Sequence, residues 1–146
     1  TRGEGIYLEL KRERLLAWRS RPEVMARANR IGTNMDRACQ REERTPPPHP
    51  APTMILVHTV AHLLIKQLGL ECGYSSNSLR ERLYSAEHDD GSGYAGVLIY
   101  TASTSADGTL GGLVGQGDPK RLEAIVRGAL QSARWCSSDP LCRQSP

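Results

Sequence analysis

The sequence predicts an α+β fold, in which several helices pack a small β-sheet around one buried apolar helix at about residues 53–69. Three observations carry this. Met54 to Leu68 is apolar on almost every side, as a helix at the centre of a domain is. Gly96-Val-Leu-Ile-Tyr-Thr101 is a continuous apolar run of strand length, and Ile6-Tyr-Leu-Glu-Leu10 alternates. Leu122, Ile125, Val126, Ala129, Leu130 and Ala133 recur at helical spacing.

Taken in order, residues 6–10 read as a short half-buried strand, and Lys11 to Ser20 as a helix packed through Leu15, Leu16 and Trp18. Pro22 suits the first turn of a second helix. Val24, Ala28, Ile31, Met35 and Ala38 then form one stripe to about Arg44, weakened by Gly32 and Asn34. Thr45 to Pro52 is extended, because each proline biases its predecessor away from helix. Thr53 is placed to cap the central helix, and Gly69 and Gly73 mark its end. Ser78 and Glu81 have capping-box spacing, which predicts a short helix over Leu79–Tyr84, followed by an acidic loop over 86–93. Residues 96–101 read as a fully buried strand and 102–117 as a loop. Asp118 and Pro119 start the last helix as N-cap and first residue. The expected organisation is thus a basic strand-plus-helix segment at 1–44, a Pro-rich connector at 45–52 and a zinc-domain-like region at 53–146.

At 146 residues the chain is long enough for a real core, although it has no Phe. The apolar stretch Met54–Leu70 is interrupted by His58, His62, Lys66 and Gln67, so no membrane span is expected. Four scattered cysteines do not form a secreted disulfide framework and fit a cytoplasmic protein. Residues 1–44 carry eleven Lys/Arg against seven Asp/Glu, a net +4. Composition alone favours a solvated helix there and is compatible with a nucleic-acid face.

The chemistry-bearing motifs are few. His58-Thr-Val-Ala-His62 puts two imidazoles one turn apart on one helix face, a spacing that can clamp a metal. The zinc-hydrolase version needs Glu directly after the first His, where this chain has Thr59, and no third ligand is evident. Hydrogen bonding within a packed interior is the plainer expectation for both histidines. The glycine-rich stretch Asp107–Gly117 lies between a strand and a helix, where phosphate cradles occur, but Asp118 and Pro119 stand where a P-loop has Lys and Ser/Thr. Cys136 and Cys142 bracket a turn with five residues between them and read equally as metal ligands or ordinary thiols. Two thiolates cannot fill a tetrahedral site, and the chain begins without Met, so it is expected to be part of a larger protein.

Several pieces occur together in order: His58-Thr-Val-Ala-His62-Leu-Leu-Ile, Glu71-Cys-Gly-Tyr74-Ser, Leu79-Arg-Glu-Arg-Leu-Tyr84, Gly96–Thr101, Asp107-Gly-Thr-Leu-Gly-Gly112 and Trp135-Cys-Ser-Ser-Asp-Pro-Leu-Cys142. The set resembles the helicase-associated, zinc-binding domain of the MrfA/MrfB type, most closely as found in the DrmB family of the bacterial DISARM anti-phage system. The resemblance implies a non-catalytic accessory module that supports DNA engagement and assembly with a DrmA-like helicase subunit. It implies a structural zinc held by Cys136 and Cys142, with a final cysteine cluster that this sequence lacks. DNA phosphates would meet Arg27, Arg30, Arg37, Arg41 and Arg44, which share a face if their helix is continuous. The alternatives are a metal-dependent hydrolase using His58 and His62, and a pure protein-interaction scaffold.

Overall fold

The computed structural model describes residues 3–74, 78–87, 93–101 and 112–134. Along them run β1 (Gly5–Glu9), α1 (Arg12–Arg19), α2 (Pro22–Arg41), α3 (Pro52–Cys72), β2 (Leu79–Glu87), β3 (Gly93–Thr101), α4 (Gly112–Gln116) and α5 (Pro119–Ala133). The α+β expectation holds: three antiparallel strands in the order β1-β3-β2 are covered by helices. The register places Ile6 and Glu81 on either side of Ile99, and Leu8 and Leu83 on either side of Val97. Because side chains alternate along a strand, these residues and Leu79 share the face against which α3 packs.

Helix α3 is the core helix. It buries Val57, Ala61, Leu64 and Leu68 against the sheet and α5, the valine and the two leucines contributing about 1.5–3 kcal/mol each. By length and composition alone α3 is long and apolar enough to cross a membrane. Its outward side, however, presents His58, Thr59, His62 and Lys66, which a lipid environment would have to desolvate. The helix ends beyond the expected position, at Cys72, where Gly73 takes the left-handed conformation (φ 73°) and its N–H bonds the Gly69 carbonyl.

Four local expectations are corrected. Residues 79–84 are strand, not helix: Arg80 and Arg82 are exposed while Leu79, Glu81 and Leu83 turn inward. A charged residue on the inner face had disguised the two-residue period. The strand predicted at 96–101 begins at Gly93, and it buries Ala95, Val97 and Ile99 while Leu98 and Tyr100 are only half-buried, so it is not buried on both faces. Thr53 does not cap α3. Ala51 takes that position ahead of Pro52, and the Thr53 hydroxyl is buried with no hydrogen-bond partner among the described residues. The segment read as loop to 117 contains α4, where Leu113 is fully buried and donates its N–H to the Glu4 carboxylate at 3.2 Å.

The start of α5 follows the sequence: Asp118 Oδ1 accepts from the Lys120 N–H at 3.1 Å, and Pro119 is the first helical residue. Of its apolar stripe, Ile125 and Ala129 are buried, whereas Leu130 is 58% exposed. In α2, Ala28, Gly32 and Cys39 are buried and Ala38 is exposed. Gly32 matters because the Pro-rich connector folds back over it. His49 bonds Asp36 at 2.9 Å, and a Cβ at residue 32 would meet the His49 ring.

Candidate metal centre

One turn of α3 separates His58 from His62, so both side chains emerge on the same side, at the margin that overlooks β2. Glu81 comes from the inner face of β2 and points toward that margin. His58 Nε2 and His62 Nε2 lie 2.8 Å apart, and Glu81 Oε1 is 3.5 Å from each. The two rings meet edge to face with centroids 4.5 Å apart. Glu81 Oε2 is buried and has no hydrogen-bond partner among the described residues.

Neither imidazole is interior. The His58 and His62 side chains are 56% and 65% exposed and that of Glu81 is 22% exposed. This corrects the expectation that the histidines satisfy a buried polar group. The apolarity of α3 is not all-round: a polar ridge of His58, Thr59, His62 and Lys66 lies outside the packed faces. Thr59 itself donates its hydroxyl to the Ile55 carbonyl at 2.8 Å, a bond within its own helix. Beside the cluster opens a groove of about 740 Å³, bordered by His62, Lys66, Leu70, Tyr74, Arg80 and Glu81 among others.

Glu81 is the third donor that sequence reading missed. Its spacing from Ser78 suggested a capping box and hence a helix, which would have aimed it elsewhere. The available signal was the alternation Leu79, Glu81, Leu83, with an acid in a position that a strand would turn toward the core.

Cys136 and Cys142 lie outside the described residues, as does the glycine-rich stretch 107–111. Cys39 is buried in α2, and Cys72 is half-buried at the end of α3, where burial first and Glu71 second push its thiol pKa up. Arg27, Arg30, Arg37 and Arg41 are all exposed on the unbroken α2, and Arg44 just beyond its end pairs with Glu42. At 3.6 residues per turn the four helical arginines fall within an arc of roughly 80°, with Glu23 at the amino-terminal end of the same stripe.

Residues 60–145 match the family model of the MrfA Zn-binding domain, MZB. Over 141 residues the sequence is 36% identical to the DISARM protein DrmB of Bacillus paralicheniformis, covering 96% of this chain and 24% of that protein. The chain therefore spans about a quarter of the relative's length. The span matched to the family holds His62 and Glu81 as well as both distal cysteines.

Proposed function

The chain belongs to the MrfA Zn-binding domain family, and from that premise we propose that it is a non-catalytic accessory module of a bacterial anti-phage defence complex of the DISARM type. Its relationship to a DISARM protein along nearly its whole length supports this reading. In it, a DrmA-like helicase subunit in the cytoplasm supplies the ATP-driven motor, and this module contributes to assembly and to DNA contact. The family's zinc is assigned to a structural role on Cys136 and Cys142 with further ligands, since a closed structural site needs four donors.

The observation that carries the DNA part is the arginine stripe: Arg27, Arg30, Arg37 and Arg41 project from one side of a continuous helix, followed by Arg44. Guanidinium groups in such a row match phosphates along a backbone without reading base edges. The test is salt dependence of DNA binding by the assembled complex. Reversing the charge of Arg30, Arg37 and Arg41 should reduce the slope of log affinity against log salt by up to about 2.7, at roughly 0.9 per phosphate contact. An unchanged slope assigns the DNA path to the motor subunit and leaves this helix a solvated face.

Glu81 favours one further reading, metal-dependent hydrolysis at His58 and His62. Against it stands Thr59, which occupies the general-base position of the helical zinc-hydrolase motif.

A further inference from the structure

We propose that His58, His62 and Glu81 bind a divalent transition metal of the zinc class in a centre separate from the cysteine pair, with its fourth coordination position open to the groove beside α3. The inference concerns this cluster alone and does not depend on DNA contact.

The geometry is that of one face of a tetrahedron. Zinc bonds to nitrogen and carboxylate oxygen of about 2.0–2.1 Å set neighbouring donors about 3.3 Å apart. The three donor atoms here form a triangle with sides of 2.8, 3.5 and 3.5 Å. Small side-chain rotations equalise these edges, and two of the ligands are on one rigid helix at fixed spacing. The donor set selects the ion: two imidazoles and one carboxylate suit zinc and its late first-row neighbours, whereas magnesium and calcium prefer all-oxygen shells.

A second, independent observation points to a cation. Glu81 Oε2 is buried without a hydrogen-bond partner among the described residues, on a carboxylate facing the two ring nitrogens. A carboxylate oxygen left so is costly, and a metal bound through Oε1, or shared with Oε2, supplies the missing positive charge. Both imidazoles are more than half exposed, so the ion has an entry path.

Three protein ligands leave a tetrahedral ion one position short, as in zinc sites that exchange water or anionic ligands. Two of the ligands, His62 and Glu81, border the groove that Lys66 and Arg80 also line, so an incoming ligand would reach the ion from there. The ligand class it would take is water or a small anionic oxygen donor, a phosphate or carboxylate group. The metal would also tie α3 to β2 across the margin where their side chains meet.

The test uses the full chain with Cys136→Ser and Cys142→Ser, stripped with chelator and titrated with zinc alone. The expected result is uptake of one equivalent with a rise in Tm, abolished by His58→Ala with His62→Ala and weakened at least tenfold by Glu81→Gln. Cobalt(II) in the same protein should give a visible spectrum without a thiolate charge-transfer band. Absence of zinc uptake, or the same uptake after both histidines are replaced, overturns the proposal. If the serine replacements unfold the chain, zinc content of the otherwise wild-type protein is compared with and without the two histidine changes. Loss of one equivalent supports the centre, and an unchanged content overturns it. Circular dichroism of each variant without metal separates lost ligands from lost fold.

Discussion

Gly128 on α5 sits directly against Gln67 on α3: a Cβ at residue 128 would lie 2.5 Å from Gln67 Nε2 and 2.9 Å from its Cδ. The glutamine cannot easily withdraw. It is buried, donates from Nε2 to Glu71 Oε1 at 2.5 Å, and accepts from the Ser132 hydroxyl at 3.4 Å. In an exposed helix Gly→Ala would stabilise by about 1 kcal/mol. Here forced repacking of a bonded, buried amide opposes that gain, and overpacking costs typically 1–3 kcal/mol. Gly128→Ala should therefore destabilise the chain, by up to about 2 kcal/mol. Urea unfolding measures it, and a variant more stable than wild type would show that the α3–α5 seam relaxes readily.

Gly96 poses the same question inside the sheet. A Cβ there would meet the Tyr7 hydroxyl at 2.5 Å and the Leu8 carbonyl oxygen at 2.9 Å. The tyrosine is half exposed and can swing aside, but Leu8 is main chain of β1, the strand paired with β3, and cannot move without opening the pairing. Gly96→Ala should cost about 1–3 kcal/mol. Gly115→Ala, whose nearest neighbour is Arg121 Nη1 at 3.6 Å, should change stability by only a few tenths. Melting of the two variants side by side checks the contrast.

The parts of this fold that were legible in the sequence are those whose pattern is local. Pro119 after Asp118, the helical stripe of α5 and the alternation in β1 each specify one structure without help from distant residues. Leu79–Glu87 failed for the opposite reason. Its inner face carries Glu81 between two leucines, and that acid faces His58 and His62, about twenty residues earlier on another element. The same blindness hid the role of Gly32, which looks like a weak point in α2 until His49 from the connector is seen lying on it. Spacing alone pairs His58 with His62, but it does not show their exposure, because the mean apolarity of α3 conceals its polar outer ridge.

His62→Ala gives a direct measure of that exposure. Were the ring buried and bonded, its removal would cost about 1–3 kcal/mol. With its side chain 65% exposed and its polar contacts, among the described residues, made to the neighbouring His58 and Glu81, truncation in chelator should cost less than about 0.5 kcal/mol. With zinc added, the wild-type Tm should rise and the variant Tm should stay where it was. A large loss in chelator would mean that the imidazole cluster holds α3 on β2 without any ion.

The alkaline limb of stability should report Tyr74. This phenol is 7% exposed, and its pKa is raised above the ordinary 10.0 chiefly by burial, then by the Glu4 carboxylate and Cys72. Tyr7 is raised as well, first by desolvation and then by Glu9, but it is half exposed and solvent screens its contribution. A raised folded-state pKa means that the unfolded chain releases its proton first. Below pH 10 both states hold the proton and the group adds no slope. As pH rises past that point the unfolded state binds fewer protons than the native one, so unfolding free energy falls until the folded phenol also ionises. Stability should therefore decline above about pH 10 more steeply in wild type than in Tyr74→Phe, where no proton remains to be lost at that position. Urea midpoints between pH 8 and 11, taken at constant ionic strength, test this. Parallel curves for the two proteins would place the alkaline sensitivity in other groups.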